Sequence, residues 1–493
     1  MDAPVCQGCI ALRQLVEQLQ SRLAQVEAEL ASARKNSRNS SKPPSSDIVK
    51  KPKKPAPAGD ERKRGGQPGH ERYERPPLPD DQVDYRELRL SRCPDCHGPV
   101  VPSRQPAKVI QQIELPLPAA MVSLVGVRSQ PCWCSKCRQV HYAPIDSADR
   151  RAGLVGPRLS SLIAYLKGAC HCSYTTIKRF LRDVFQIKLS RGQLAKVVHK
   201  VSVSLKGTYE DLAQRLPSEQ RLNVDETGHK DNGQALWTWC FRSALYTLFK
   251  IAPSRGSDVL IDTLGQEFNG ILGCDYFSAY RKYMKDCGVL VQFCLAHLLR
   301  DVRFLVEHPN SRNQAYGQRV LERLRNLFGV IHRRDDYAPQ TFASHLQNAG
   351  DELAAEVGWH VPRTREARNL AERFEKHGDS YLRFITTPDL EPTNNLAEQA
   401  IRFVVIDRKV TQGSRGTKGQ RWLERIWTVL ATCAQTGKGV FQFLHHAIHA
   451  TSTNSRLQRC CPTRPNFQFP PPLPVAPNEP QRFRFALHKG TMP

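Results

Sequence analysis

At 493 residues the chain is too long for one compact domain, and 40% hydrophobic residues is enough to build several cores. Lys and Arg total 72 against 47 Asp and Glu, and a net charge of +25 points to a polyanionic partner, nucleic acid first. No apolar run approaches the ~18 residues that cross a bilayer, and the first twenty residues lack the basic start and apolar stretch of a signal peptide, so a cytoplasmic chain without a membrane partner is expected.

Residues 9–33 carry a heptad: Leu12, Val16, Leu19, Leu23, Val26, Leu30 and Ala33 step by four and three. That spacing keeps one apolar seam on a helix and predicts a coiled coil that makes a homo-oligomer. The alternative is an amphipathic helix docked on its own protein. Residues 34–80 are rich in Ser, Pro, Gly, Lys and Arg with almost no large apolar residue, which predicts a disordered basic linker near DNA or a plain spacer.

A zinc-finger domain is expected over 81–149. Cys93-Pro-Asp-Cys96 and Cys134-Ser-Lys-Cys137 are two tight turns, each aiming two thiolates at one point. Together they supply the tetrahedral sulfur set that zinc prefers, with short strands between them in a zinc ribbon. In a reducing compartment such cysteines are metal-bound or buried rather than bridged. Cys132 is a possible substitute ligand, and Cys6 and Cys9 have no obvious second pair.

Residues 150–219 read as a helical DNA-binding domain. Two amphipathic segments meet around Gln186–Ser190, and Ser190 suits the N-cap of the second. A helix-turn-helix would place Arg191, Gln193, Lys196 and Lys200 on the groove side; an ordinary helical hairpin is the alternative. From 220 to 450 the pattern is α/β. Short β-type runs lie at 221–228, 235–243, 245–252, 270–277 and 289–297; about 300–385 is helical and charged; and a helix starts near Asn394. The tail, 451–493, is rich in Pro and polar residues and is expected to be disordered.

Three acids stand out. Asp225 and Asp275 end apolar strands, and Glu398 lies on the helix after Asn394. Strand-end carboxylates beside a helical one can converge at a sheet edge, where their repulsion is relieved by magnesium (or manganese). Two such ions suit phosphodiester chemistry. For any one acid alone, a solvated or capping role is the alternative.

The chain also resembles transposases of the insertion sequence 66 family. Asn39-Ser40-Ser41-Lys42-Pro43-Pro44-Ser45-Ser46-Asp47 and Arg64-Gly65-Gly66-Gln67-Pro68-Gly69-His70 are near-signatures of it. Val224-Asp225-Glu226-Thr227, Asp275-Tyr276 with Cys294-Leu295-Ala296-His297-Leu298-Leu299-Arg300, and Asn394-Asn395-Leu396-Ala397-Glu398-Gln399-Ala400-Ile401-Arg402 look like its three acidic motifs, followed by Arg408 and Lys409. The family pattern has an acid where Thr393 stands and commonly Arg where Gln399 stands. The resemblance implies a multidomain α+β chain whose core is RNase H-like with a helical insertion, and Asp225, Asp275 and Glu398 as a DDE metal triad. It implies cleavage at the terminal inverted repeats and strand transfer into target DNA, with accessory proteins of the same element as possible partners. Arg402, Arg408 and Lys409 are candidate DNA contacts; Arg402 could instead pair with Glu398, one turn away. Glu226 should face away from Asp225. His297 is a satisfied buried histidine or an active-site residue, and Trp237 and Trp239 read as core. The rival functions are a catalytically inactive DNA-binding repressor and a nuclease that cuts without joining.

Overall fold

The structure, a computed structural model, describes residues 7–36, 39–40, 122, 131–134, 139–142 and 154–453. The chain divides into two units, residues 1–48 with 127–493, and 49–126; the account below concerns the first. Helix α1 spans Gln7–Ala33. Leu12, Leu19 and Leu23 on its heptad seam are each at least 60% exposed, so the seam is not docked on the described part of its own chain. After it, Asn39 and Ser40 are buried, and Asn39 Nδ2 donates to Glu307 Oε2 at 2.8 Å. The rest of the expected linker lies outside the described residues, as do Cys93, Cys96 and Cys137. Strands β1 (Pro131–Cys134) and β2 (Gln139–Tyr142) form an antiparallel pair that Cys134 closes. The side chain of Cys134 is outside the described set, and so is the zinc reading that rests on it.

Helices α2 (Pro157–Gly168), α3 (Tyr174–Phe185), α4 (Arg191–Ser204) and α5 (Lys206–Arg215) follow. Gln186 turns left-handed to end α3, and Ser190 starts α4 with a capping box. Ser190 Oγ accepts from the Gln193 N–H at 3.1 Å while Gln193 Oε1 accepts from the Ser190 N–H at 2.7 Å. Two otherwise orphaned donors are thereby satisfied. Leu194, Val197, Val198 and Val201 form the buried stripe of α4, at the 3–4 spacing that keeps a helix on one core.

A five-stranded mixed sheet is the centre of the fold. Strands β3 (Arg221–Asp231), β4 (Gln234–Arg242) and β5 (Thr247–Ala252) are antiparallel. Strands β6 (Ile271–Cys274) and β7 (Leu290–Phe293) run parallel to β3, giving the order β5-β4-β3-β6-β7. The parallel steps need crossovers, supplied by α6 (Ser257–Leu264) before β6 and α7 (Ser278–Cys287) between β6 and β7. Alternation splits the strands between two cores: Trp239 and Phe241 pack on one face, Cys240 between them on the other.

The first face carries α8 (Leu295–Val306), α9 (Ser311–His332), α10 (Pro339–Gly358) and α11 (Arg365–Thr386), the helical insertion. The second carries α12 (Asn395–Thr411), α13 (Gly416–Gln435) and α14 (Val440–Thr453), together with α2 to α4. The tail beyond α14 lies outside the described residues. Among those residues no helix is long and apolar enough to cross a membrane.

Both sheet edges are met by helix side chains. The outward N–H groups of Thr247, Phe249 and Ile251 on β5 donate to Thr432 Oγ1, Thr428 Oγ1 and Glu424 Oε1 at 3.2, 3.1 and 2.8 Å. Those three acceptors are four apart on α13, so one helix face matches every second residue of the strand. On β7, Arg383 Nε of α11 donates to the Val291 carbonyl at 3.1 Å.

Candidate active site

Strands β3 and β6 pair in parallel with Asn223 opposite Gly273. Two residues further on lie Asp225 and Asp275, so the two acids share one level at neighbouring strands. A Cβ on Gly273 would stand 2.6 Å from Asn223 Nδ2. Glycine there lets the Asn223 amide cross to Asn394 Oδ1, to which it donates at 3.1 Å. Asn394, almost fully buried, caps the start of α12; its Nδ2 donates to the Val224 carbonyl at 2.8 Å and its backbone N–H to Cys294 Sγ at 3.1 Å. The Leu295 N–H donates to the Pro392 carbonyl at 2.9 Å. These bonds stitch the start of α12 to both β3 and α8. Glu398, one turn into α12, is thereby carried to the end of the sheet.

The electrostatics agree with that convergence. Burial, and then the charges of Glu226, Asp275 and Glu398, push the Asp225 carboxyl well above the usual range. Asp275 is pushed up to about 7, by burial first and Glu226 second, although the Phe277 N–H, at 2.9 Å, and Arg255 pull it down. Glu226 points to the other face, as its position next to Asp225 in a strand requires. There Arg255 reaches its Oε1 at 2.7 Å and the Tyr280 hydroxyl donates to its Oε2. The Arg255 guanidinium lies over the Trp237 and Phe277 rings, at 4.6 and 3.8 Å. Glu226 is thus a buried, ion-paired support behind Asp225. Trp239 is core, and Trp237 is partly buried against it.

Cys294, the residue before α8, and His297 and Arg300 on it recur every three residues and face Glu398. Arg300 lies 3.6 Å from Glu398 Oε2, and His297 Nδ1 lies 3.6 Å from Glu398 Oε1. Neither His297 Nδ1 nor Glu398 Oε1 has a hydrogen-bond partner, although both are buried. Burial, with Arg300 second, lowers His297 to about 4, and burial pushes the Cys294 thiol up to about 11. His297 is therefore not the satisfied core histidine of the first alternative. Crowded carboxylates are the environment that a divalent cation relieves, so Asp225, Asp275 and Glu398 fit one.

Other expected contacts are distributed differently. Arg402 is exposed, and the cation beside Glu398 is Arg300 instead. Arg408 is half-buried and donates to Thr227 Oγ1 at 3.2 Å, while Lys409 is exposed at the end of α12. On α4, Arg191, Gln193 and Lys196 are exposed and Lys200 is half-buried, and Gln193 also gives its amide oxygen to the cap. Sequence reasoning gave no role to Asn394, Arg255, Tyr280 or Arg300. For Asn394 and Arg300 a signal existed: each lies inside a motif around a candidate acid.

Asp225 lies inside β3, which runs on to Asp231 rather than ending at the acid as expected, and with Asp275 just past β6 and Glu398 on α12 it defines the candidate site. Residues 152–421, more than half of the chain, match the model of a family described as "Transposase IS66 family", and the chain belongs to that family. It is accordingly a transposase-family protein. Residues 7–76 match a family of unknown function, DUF6444. The chain is also 23% identical over 332 residues to "Uncharacterized protein y4qI" of Sinorhizobium fredii. That similarity spans 60% of this chain and 60% of the relative.

Proposed function

We propose that the protein is a DDE transposase that cuts DNA at transposon ends and joins the freed 3′ end to target DNA, with Asp225, Asp275 and Glu398 as its acidic triad. The observation that carries this reading is the shared level of Asp225 on β3 and Asp275 just past β6, with Glu398 close enough to raise the Asp225 carboxyl. The sheet, three antiparallel strands followed by two parallel ones, supports an RNase H-like core interrupted by α8 to α11.

The three carboxylates would hold magnesium or manganese, which supplies Lewis acidity to the attacking and leaving oxygens of an in-line displacement. The rest is done by the chain. Asn394 fixes the start of α12 against β3 and so sets the height of Glu398 beside the two aspartates. Arg255 and Tyr280 hold Glu226 on the opposite face of β3 from Asp225. Arg300 restrains Glu398. Exposed Arg191 and Lys196 on α4 and Lys409 on α12 suit backbone phosphates. The paired cysteines would hold structural zinc for recognition of the terminal repeats, and α1 would join two copies so that both ends are held together.

The test is a cleavage and joining assay on the element's own ends. Asp225→Asn should lower metal-dependent cleavage and joining by about 10²–10³-fold or more, the scale set by losing a group that stabilises transition-state charge, yet leave end binding unchanged. Undiminished cleavage would remove Asp225 from the triad. A pre-cut end that is never joined would make the protein a nuclease.

A further inference from the structure

From the geometry around Glu398 we infer that Cys294, His297 and Glu398 form a second metal site, selective for a borderline-soft cation such as zinc, which shares Glu398 with the catalytic set. One ligand atom from each of the three residues lies within 4.8 Å of the other two. His297 Nδ1 and Glu398 Oε1 face each other across 3.6 Å without a hydrogen-bond partner, although both atoms are buried. An imidazole nitrogen and a carboxylate oxygen buried face to face without a hydrogen bond are costly, and a cation between them removes the cost.

The donor types choose the cation. A thiolate and an imidazole favour zinc over magnesium, which prefers oxygen alone. Cys294 precedes α8 and His297 follows three residues later, the tight spacing by which a turn and a helix start bring two ligands to one metal. The shell outside the ligands is also built. The Asn394 N–H donates to Cys294 Sγ at 3.1 Å, and Arg300 takes the other oxygen of Glu398, Oε2, at 3.6 Å. Such contacts orient ligands and stabilise a thiolate. Three protein donors leave a fourth, tetrahedral position open.

The consequence is competition. Zinc in this site holds Glu398 on the α8 side and withdraws it from Asp225 and Asp275, so zinc inhibits a magnesium-dependent reaction. This consequence rests on the proposed triad; the site itself does not.

The test uses the full-length chain, dialysed to equilibrium against a cobalt-containing buffer, and compares wild type with Cys294→Ser, His297→Ala and Asp225→Asn. Circular dichroism verifies that each variant folds. Cobalt bound to sulfur gives a near-ultraviolet charge-transfer band, and the paired-cysteine units contribute equally in all four proteins. Cys294→Ser should lose part of that band, His297→Ala should bind less cobalt, and Asp225→Asn should keep the band. Equal bands and equal uptake in wild type, Cys294→Ser and His297→Ala would overturn the site. In the cleavage assay, Cys294→Ser should need about tenfold more zinc, or higher, for half inhibition, the scale of a weakened metal shell. Zinc inhibition indifferent to Cys294 would overturn the sharing of Glu398. A cobalt band that depends on Cys294, in a protein without magnesium-dependent cleavage, would count against the triad instead.

Discussion

Asn394 holds the Val224 carbonyl at 2.8 Å, and this bond ties the helix of one acid to the strand of another. Val224 precedes Asp225, and Asn394 lies one turn before Glu398. Asn394→Ala should therefore misplace Glu398 while leaving every carboxylate in the chain. The expected result is a fall of about 10²-fold in cleavage, the effect of a misplacement of about 1 Å. Stability should fall by about 1–3 kcal/mol from the unpaired Val224 carbonyl and Asn223 amide. Asn394→Asp, which cannot donate to Val224, should behave like the alanine variant. Cleavage kinetics and a denaturant titration check both numbers.

The contact of β5 with α13 makes a stability prediction away from the acids. Thr428 and Thr432 are fully buried and accept from the Phe249 and Thr247 N–H groups. Thr428→Val and Thr432→Val keep the shape and strand one buried donor each. Each should cost about 1–3 kcal/mol in denaturant unfolding. Cleavage by the folded fraction should not change.

A pH dependence follows from His229. Its Nε2 lies 3.0 Å from Ser414 Oγ, whose proton goes to Asp231 Oδ1 at 2.6 Å, so Nε2 is the donor and the ring is neutral. Burial, and then Arg408, lowers its pKa to about 4 against the pull of Asp231. The unfolded chain takes up this proton near 6.5 and the folded chain only near 4. Stability is thus fully present above about 6.5 and is lost as pH falls toward 4. His297, lowered to a similar value, contributes to the same slope. His229→Gln should flatten the fall in melting temperature across that window without abolishing it; an unchanged slope would refute the assignment.

Self-association should depend on α1. Leu19 and Leu23 are exposed on the heptad seam. The double substitution Leu19→Glu with Leu23→Glu should lower the molar mass seen by light scattering to that of one chain. A variant that keeps the wild-type mass would place the oligomer contact elsewhere.

Much of the core was legible because local chemistry and tertiary role coincide. The strands from Arg221 to Phe293 announce themselves by apolar alternation, and the helix of Glu398 by its start at Asn394. The opposite facing of Asp225 and Glu226 follows from strand geometry alone. What the sequence did not disclose depends on distant residues. Nothing local says that the guanidinium beside Glu398 comes from α8, because Arg402 has the right spacing and Arg300 the right fold position. The cap that ties the Gln193 amide oxygen to the Ser190 N–H was not foreseen either. The roles of Arg255 and Tyr280 exist only once β3, α6 and α7 are brought together, since neither lies in an acidic motif.

The treatment of the two outer strands limits how this protein can assemble. A bare strand edge invites any extended peptide, including another copy of the same strand, to lengthen the sheet. Here hydroxyls and a carboxylate from α13 occupy the donors along β5, and a guanidinium from α11 occupies a carbonyl on β7. Recruitment by strand addition is thereby disfavoured at both margins. A second copy of the chain is then met through helices and loops rather than by lengthening this sheet, which offers little start to a fibrous aggregate.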